Sequence, residues 1–510
     1  MRRTPGMPIL MTIVALTAAC VATEQVVFVG EEALKPTHRL NLLPDSAIVN
    51  QTQTVTFPDG FLWGAATASY QIEGAAHDGG RGPSVWDHFS HTPGRTANAD
   101  TGDTACDHYN RVESDVKMMA ELGLQTYRFS ISWSRVMPDG RGKPNAEGIA
   151  FYHRLVELLL ANDIEPCPTL FHWDLPSGLE EIGGFRNRDT CSWFADYAAL
   201  MTQELGDRVH MWSTFNEPWC YAYLGHGSGV HAPGLTDDLA AVTVAHHQLL
   251  AHGLAVQAMR AERDNLQLGI VINPSNVRRE GNPPAPEDAM RRMDAIHNRW
   301  WFDSVVNGRY PADILDDFGW LADSVRPGDE ATINQPLDWI GINYYNDILV
   351  KATSGDATGR MRAYPTAQGI TESDVRPKHT DMGWPITPEG LTELLVRLKH
   401  DYPNLPPVYI TENGCAYDDP VIDGRCTDTR RIEYLDIHLR AIKDAIDEGV
   451  DIRGYYQWSL MDNFEWALGY DKRFGLVHID FDTLDRTPRD SAFWYREVIK
   501  RNGLSSANAK

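Results

Sequence analysis

The stretch Ala146-Glu-Gly-Ile-Ala-Phe-Tyr-His-Arg-Leu-Val-Glu-Leu-Leu-Leu-Ala161 is followed closely by Glu165-Pro-Cys-Pro-Thr-Leu-Phe-His-Trp-Asp174. Apolar residues at i, i+3 and i+4 spacing predict an amphipathic helix over 146–161. The short β-rich run at 165–170 predicts a strand, and the chain turns aromatic and polar at 171–174. This helix leads into a strand that ends in polar side chains, and the recurrence of such a unit along the chain predicts the fold.

The same alternation of strand and helix continues through the chain from Val55 onward. The predicted strands are Leu62–Ala66, Thr126–Ile131, Glu165–Leu170, Met211–Phe215, Leu268–Val271, Trp339–Asn343, Val408–Thr411 and Gly454–Trp458. The segments with helical periodicity are Tyr109–Leu122, Ala146–Ala161, Trp193–Gly206, Leu239–Arg263, Asp288–Val306, Pro388–Leu398 and Thr429–Gly449.

This alternation indicates an α/β fold, because strands joined through helices pair in parallel. Eight such units predict a single (β/α)8 TIM barrel. The stretches 345–383 and 459–490 contain turn residues and aromatics, so we expect them to be long loops at the C-terminal face of the strands. An open doubly wound sheet is the alternative, but it usually begins with a Gly-rich phosphate turn, and no G-x-G-x-x-G sequence follows a strand here.

Composition narrows the class of protein. The 510 residues carry 46 Lys and Arg against 70 Asp and Glu, a formal net charge of −24, and 43% of them are hydrophobic. That hydrophobic content is typical of a globular protein and not of a disordered chain. The acidic balance argues against nucleic acid and anionic membranes as partners, since both are bound by clustered Lys and Arg.

The chain ends differ from the middle in pattern. Residues 1–54 are predicted to be an N-terminal arm, 55–500 the catalytic (β/α)8 domain and 501–510 a C-terminal tail. Within the arm, residues 1–22 begin with Arg2 and Arg3, continue as an uncharged stretch and reach Cys20, in the layout of an export signal followed by a linker. Two locations stay open: an exported protein, periplasmic or lipid-anchored through Cys20, and a cytoplasmic one.

The cysteines argue against a disulfide framework or a zinc site. There are seven, an odd number, and no two have Cys-x-x-Cys spacing. We therefore expect mostly reduced thiols and no metal site. A pair between Cys415 and Cys426 stays open, because the two are close in sequence.

Two carboxylates occupy the ends of predicted strands. Glu217 follows an apolar run within Thr214-Phe-Asn-Glu-Pro218, and Glu412 does so within Ile410-Thr-Glu-Asn-Gly414. Catalytic groups of a (β/α)8 barrel lie at the C-terminal strand ends, so the two side chains can face one pocket. A pair of carboxylates about 5–5.5 Å apart is what retaining glycoside hydrolysis uses.

These two segments resemble the signature sequences of glycoside hydrolase family 1, the β-glucosidase family. Phe57–Gly74, with Phe61-Leu-Trp-Gly-Ala-Ala-Thr-Ala-Ser-Tyr-Gln-Ile-Glu-Gly74, is similar to the N-terminal signature of that family. The resemblance keeps the same order of motifs from residue 55 to about residue 500.

The resemblance implies a role for each matching residue. Glu412 would be the nucleophile and Glu217 the general acid/base. The supporting residues would be Arg128, Asn216, Asn343 and Tyr345. The residues that would bind substrate are Gln71, His172, Trp173, Trp458, Glu465 and Trp466 around the nonreducing sugar, and Trp219 and Trp384 on the leaving-group side. Structural alternatives stay open for some of them: a plain ion pair for Arg128, a core position for His172, and core aromatics for Trp458 and Trp466.

The implied activity is hydrolysis of terminal nonreducing β-D-glucosyl residues through a covalent glycosyl-enzyme, with β-galactosides or β-fucosides as further substrates. The expected partners are small β-glucosides or short oligosaccharides, with no cofactor, no metal and no nucleic acid. Asn463-Phe-Glu-Trp466 is intact, and a carboxylate there would repel a phosphosugar. A transglycosylating member of the family and a catalytically silent sugar-binding barrel are the alternatives.

Overall fold

Eight parallel strands close into a barrel in the computed structural model, which describes residues 54–506 except 282, 356–358 and 374–377. With the strands numbered in chain order, neighbours around the barrel follow the order β11-β14-β2-β3-β4-β5-β6-β8. In chain order the strands are β1 Val55–Thr56, β2 Leu62–Ala66, β3 Thr126–Ser130, β4 Glu165–Phe171, β5 Met211–Asn216, β6 Gln267–Ile272, β7 Val277–Arg279, β8 Ile340–Asn343, β9 Ile348–Ala352, β10 Ile370–Glu372, β11 Val408–Asn413, β12 Val421–Ile422, β13 Arg425–Cys426, β14 Ile452–Trp458, β15 Val477–Ile479, β16 Arg486–Pro488 and β17 Gly503–Leu504. All eight predicted strands are present, so the predicted (β/α)8 barrel is confirmed.

Helices connect successive barrel strands, as the periodicity predicts. They are α1 Ser69–Ile72, α2 Val85–Ser90, α3 His108–Glu121, α4 Trp133–Val136, α5 Ala146–Ala161, α6 Ser177–Glu180, α7 Asp189–Leu205, α8 Asp238–Glu262, α9 Glu287–Asp294, α10 Trp300–Val306, α11 Ala312–Phe318, α12 Asp329–Ile333, α13 Pro388–Asp401, α14 Thr429–Asp447 and α15 Asp490–Arg501. Shorter 3-10 turns lie at Ala97–Ala99, Gly184–Arg186, Gly319–Ala322, Gly359–Ala363 and Trp466–Leu468, and π-helical turns at Cys220–Ser228 and Ala295–Arg299.

The barrel wall is packed tightly enough to require small residues at particular positions. Gly64 on β2 is one of them: a Cβ atom there would lie 2.6 Å from the carbonyl oxygen of Thr126 and 2.7 Å from the ring of Tyr456. No Cβ fits at such distances, so glycine lets the aromatic side chain fill the interior. Helix α8 is long and apolar enough to span a membrane by length and composition alone, but 83% of its apolar window is buried within the protein.

The long segments at the barrel mouth contain short strands that the sequence analysis did not predict. Within 345–383, β9 pairs with both β7 and β10, which makes a three-stranded sheet. Within 459–490, β15 pairs with β16. β10 and β16 are only partly buried, so they lack the continuous apolar run by which the barrel strands are predicted.

The two ends of the described chain meet in a small sheet. Val55 and Thr56 of β1 pair antiparallel with Leu504 and Gly503 of β17. The predicted boundary at residue 500 therefore falls inside α15, and the folded domain extends through β17. The predicted export signal at 1–22, the rest of the arm to residue 53, and residues 507–510 lie outside the described residues.

The cysteines from Cys106 onward are described as thiols, with no disulfide among them. Cys415 and Cys426, which the sequence left open as a pair, are both buried thiols. The described residues also contain no group of three or more His, Cys, Asp or Glu side chains placed to hold a metal ion.

Candidate active site

A cavity of about 320 Å³ opens at the C-terminal ends of the barrel strands. Its volume lies at the small end of the range of ligand pockets, about 300–1,000 Å³. Most of the residues predicted for the site line it: His172, Trp173, Glu217, Trp219, Asn343, Tyr345, Trp384, Glu412, Trp458, Glu465 and Trp466. The other predicted residues, Gln71, Arg128 and Asn216, lie behind this lining and contact it through hydrogen bonds.

Glu217 and Glu412 reach the cavity from different strands. Glu217 comes directly after β5, where its backbone turns into the left-handed region at φ 44°. Such a conformation is strained for a residue with a side chain and is typical of functional sites. Glu412 lies on β11, and both side chains are almost fully buried, with 6% and 3% exposure.

The carboxylate of Glu412 is held by two donors. Arg128 donates from Nη1 to Oε1 over 2.7 Å, and Tyr345 donates its hydroxyl to Oε2 over 2.8 Å. A guanidinium bonded to a carboxylate favours the ionised form, because the charged hydrogen bond is lost on protonation. The geometry therefore presents Glu412 as a fixed anion at the cavity wall.

Glu217 has neutral partners instead. Asn343 donates from Nδ2 to Oε1 over 2.7 Å, and the thiol of Cys220 lies 3.0 Å from Oε2. The described structure shows no cation in hydrogen-bond contact with Glu217. Glu217 is therefore the carboxyl group of the pair that is better suited to keep a proton.

Burial raises the pKa values of both groups, and repulsion from Glu412 adds to the rise at Glu217. The pKa of Glu217 rises to about 7, chiefly because the buried charge is desolvated and secondly because Glu412 repels it. Burial also raises the pKa of Glu412, but Arg128 and Tyr345 oppose that rise. One proton shared by such a pair therefore belongs mainly to Glu217, while Glu412 is ionised.

A chain of hydrogen bonds sets the orientation of the side chains behind the pair. Arg128 donates from Nη2 to Oδ1 of Asn216 over 2.6 Å, and Nδ2 of Asn216 lies 2.9 Å from Nε2 of His172. Burial, with a contribution from Arg128, lowers the pKa of His172 well below its ordinary value, so the ring is neutral. Since Nε2 accepts from Asn216, Nδ1 carries the hydrogen, and this buried atom has no hydrogen-bond partner among the residues that the structure describes.

The deep end of the cavity combines a carboxyl group with indole rings. Burial, and then repulsion from Glu412 and Glu217, raises the pKa of Glu465 to about 8. Its Oε2 atom is buried with no hydrogen-bond partner in the described part of the chain, which is a place suited to a ligand hydroxyl. The ring centroids of Trp466 and Trp173 lie 4.7 Å apart, and the ring of Trp458 stacks on that of His172 with centroids 5.9 Å apart.

Gln71 lies behind Glu465 and holds the loop that carries it. Its Nε2 atom donates to Oδ1 of Asn463 over 3.0 Å and to the carbonyl oxygen of Phe464 over 2.9 Å. Its Oε1 atom is buried, and no described residue is hydrogen-bonded to it. Gln71 therefore joins the segment after β2 to the loop after β14 at the deep end of the site.

Several lining residues were not predicted from the sequence: Cys220, Leu224, Val230, His231, Asn273, Ser275, His297, Asn346, Met382, Ala467, Leu468 and Phe474. Asn273 and Ser275 directly follow β6, so reading the end of the fifth barrel strand would have found them. Cys220 is the third residue after Glu217, so the sequence also indicates that it lies near the site. The others come from loops whose tertiary position has no signal in the sequence.

Known proteins resemble this chain over nearly its whole described length. The family model of glycosyl hydrolase family 1 matches residues 53–504. Beta-glucosidase A of Acetivibrio thermocellus is 46% identical over 453 residues, which cover 88% of this chain and 99% of that protein. A bifunctional beta-D-glucosidase/beta-D-fucosidase of Bifidobacterium breve is also 46% identical, over 88% of this chain and 98% of its own.

A solved structure agrees in fold as well as in sequence. The family 1 glycoside hydrolase of Thermotoga maritima, complexed with a cyclophellitol analogue described as a transition state mimic, superposes with a TM-score of 0.82. It is 42% identical to this chain, and the match covers 89% of this chain and all of that one. With the barrel and the two strand-end carboxylates, these matches show that the chain is an enzyme of glycosyl hydrolase family 1.

Proposed function

We propose that the chain is a retaining β-glucosidase that removes terminal nonreducing β-D-glucosyl residues from small β-glucosides and short oligosaccharides. The observation that carries the proposal is the asymmetry between two carboxylates in one cavity. Glu412 is bonded to Arg128 and Tyr345, while Glu217 has a pKa of about 7 and neutral partners. One anionic nucleophile and one proton donor are the two groups that retaining hydrolysis needs.

In the first step Glu412 attacks the anomeric carbon and Glu217 transfers its proton to the departing oxygen. A covalent glycosyl-enzyme forms on Glu412, and the aglycone leaves as a neutral alcohol or phenol. Because this bond removes the charge of Glu412, the repulsion that helped to raise the pKa of Glu217 disappears. Glu217 is then a carboxylate, ready for the second step.

In the second step Glu217 accepts a proton from a water molecule, whose oxygen attacks the anomeric carbon. The bond to Glu412 breaks, and the sugar leaves with the β configuration that it had in the substrate. Asn216, held by Arg128, is placed to bond the sugar 2-hydroxyl, a contact that strengthens in the transition state.

The deep end of the cavity favours a neutral hexose. The unpartnered oxygen of Glu465 and the Nδ1 hydrogen of His172 are suited to sugar hydroxyls, and Trp458 supplies an apolar face for the ring. The cavity lining that the structure describes contains no Lys or Arg to pair with a phosphate dianion, and Glu412 is anionic, which argues against phosphosugars. The resemblance to the glucosidase/fucosidase of Bifidobacterium breve supports β-fucosides as a second substrate class.

A panel of substrates tests this proposal. We expect hydrolysis of aryl β-glucosides and cellobiose, weaker turnover of β-galactosides or β-fucosides, and none of α-glucosides. The first sugar released, followed by NMR before it mutarotates, should be the β anomer. Preference for a 6-phosphoglucoside over the glucoside, or release of the α anomer, would contradict the proposal.

A further inference from the structure

Cys220 lies beside the proton-donating group that the proposed function assigns to Glu217. The backbone N–H of Cys220 donates to the carbonyl oxygen of Glu217 over 2.9 Å, which closes a tight turn. This turn brings the side chain of its fourth residue back against that of the first, and the thiol sulfur lies 3.0 Å from Oε2 of Glu217. Cys220 also lines the cavity, so this contact is at the site of reaction.

The neighbours of Glu217 determine which of its oxygens carries the proton. Thr411 donates its hydroxyl to Oδ1 of Asn343 over 2.7 Å, which fixes the orientation of that amide. The Nδ2 hydrogen of Asn343 is therefore directed at Oε1 of Glu217, 2.7 Å away. The carbonyl oxygen of a carboxylic acid is its better acceptor, and an amide N–H is a stronger donor than a thiol S–H. Oε1, which accepts from Asn343, is therefore the carbonyl, and the acidic hydrogen lies on Oε2, beside Cys220.

The thiol is itself oriented by a donor on its other side. Nδ2 of Asn273 lies 3.5 Å from the sulfur and donates to it. With this N–H on the sulfur, the S–H bond is directed at Oε2 of Glu217. The result is a short chain of hydrogen bonds at the cavity wall, in which Asn273 donates to Cys220 and Cys220 donates to Glu217.

We propose that Cys220 is a positioning residue for the acid/base, whose S–H bond donates to Oε2 of Glu217 and directs the acidic hydrogen on that oxygen towards the leaving group. This role rests on the proposed function of Glu217. After proton transfer, the same S–H bond stabilises the carboxylate that must activate water. The direction of the pKa effect agrees, because the hydrogen bond from Cys220 opposes the rise that burial causes in Glu217.

Other buried thiols of the chain have a different environment. The thiol of Cys191 donates to the carbonyl oxygen of His247 over 3.2 Å, and that of Cys426 to the carbonyl oxygen of Asp419 over the same distance. Both are structural contacts away from the cavity lining. Cys191→Ala is therefore a matched control for the removal of a buried thiol.

The test compares Cys220→Ala and Cys220→Ser with wild type on two substrates. Cellobiose needs a proton on its leaving group, while dinitrophenyl β-glucoside does not. For Cys220→Ala we expect kcat/KM to fall on the order of 3- to 10-fold on cellobiose, the worth of one modest hydrogen bond, and to be unchanged on the dinitrophenyl substrate.

The alkaline limb of the cellobiose pH profile should move to higher pH, because the lost donor raises the pKa of Glu217. Cys220→Ser retains a donor and should keep both properties close to wild type, as should Cys191→Ala.

A second readout uses unmodified enzyme and does not depend on how a variant folds. The infrared S–H stretching band that is missing from Cys220→Ser should shift in wild type as pH rises through the alkaline limb. Equal losses on the two substrates with an unmoved limb, or an S–H band insensitive to this ionisation, would overturn the role of Cys220. Wild-type turnover of dinitrophenyl β-glucoside tests the proposed function separately, since that activity does not depend on the thiol.

Discussion

At the scale of single residues, two glutamates in one cavity differ because of what contacts them. Arg128 supplies Glu412 with a permanent positive partner, whereas Asn343 and Cys220 supply Glu217 with neutral dipoles. Both carboxyl groups are buried, so burial alone would raise the two pKa values together. The difference between an anion and an acid therefore comes from Arg128 and Tyr345, which lie far from both glutamates in sequence.

These contacts predict a bell-shaped pH profile for kcat/KM. Glu217 must be protonated, so the rate should fall as pH rises through its pKa of about 7. Glu412 must be ionised, so the rate should also fall at acid pH, with a limb above the ordinary glutamate range because its pKa is raised. Initial rates on cellobiose from acid to alkaline pH measure both limbs, and a flat profile would contradict the assignment.

Glu465 predicts a second effect at this scale. Glu465→Ala removes the group that we propose bonds sugar hydroxyls, and it would leave those hydroxyls unpaired in the site. A lost buried hydrogen bond costs about 1–3 kcal/mol, so kcat/KM on aryl β-glucoside should fall roughly 5- to 150-fold. Leu468→Ala, at the exposed rim of the same cavity, is the matched control and should have a smaller effect. A larger loss for the rim variant would refute the role of Glu465.

At the scale of elements, a buried ion pair supports the loop after β14 that carries Glu465 and Trp466. Arg489 donates to both oxygens of Asp462, over 2.9 and 2.8 Å, and both side chains are completely buried. Burial would raise the pKa of Asp462, but Arg489 and Arg473 lower it to about 2. The stabilisation from this pair is therefore present above about pH 4, the unfolded value, and is lost as pH falls towards 2.

Breaking this pair should destabilise the barrel. Arg489→Ala removes the bidentate partner of the buried Asp462 and leaves Arg473 bonded to only one of its oxygens. Breaking a buried ion pair costs up to about 3–5 kcal/mol, so the midpoint of urea unfolding should fall clearly at neutral pH. Arg425→Ala is the control, because Arg425 pairs with Asp490 nearby but is exposed to solvent, and its midpoint should match wild type. Equal midpoints for both variants would show that the buried pair does not support the structure.

The elements also show what the sequence can and cannot predict. The barrel strands could be predicted because their apolar runs are buried on both faces. The prediction Gly454–Trp458 is two residues shorter than β14, because Arg453 interrupts the apolar run. The periodicity of Asp288–Val306 predicts one helix, but a π-helical turn at Ala295–Arg299 divides it. A local change of helical pitch leaves no clear periodic signal in the sequence. His231 and His297 reach the cavity only through tertiary packing, so no local pattern indicates them.

At the scale of the whole molecule, the family match and the fold cover the same part of the chain. The family model spans residues 53–504, and the structure closes this span where β1 pairs with β17. The side chains of the proposed site come from segments between Gln71 and Trp466, all within it. We therefore expect the arm to be dispensable for catalysis.

Deleting residues 1–50 should leave an active enzyme with the kcat/KM of the full chain on aryl β-glucoside, because β1 and all the proposed site residues are kept. A further deletion through Thr56 is the control: it removes the pairing with β17 and should lower the unfolding temperature. Mass spectrometry of protein from the native host would find a mature chain that begins at a lipidated Cys20 if the arm is a lipoprotein signal, and an intact Met1 would rule out export. Loss of activity in the first deletion would contradict the independence of the barrel.

The central claim is that Glu412 is the nucleophile and Glu217 the acid/base, and rescue by azide tests it most directly. In Glu412→Ala the space facing the anomeric carbon is open, so azide should restore turnover of dinitrophenyl β-glucoside and give the α-glucosyl azide. In Glu217→Ala the nucleophile remains, so azide should intercept the glycosyl-enzyme and give the β-glucosyl azide, while cellobiose turnover falls by on the order of 10²–10⁴. NMR of the two products identifies the anomer. An α product from Glu217→Ala and a β product from Glu412→Ala would contradict the account.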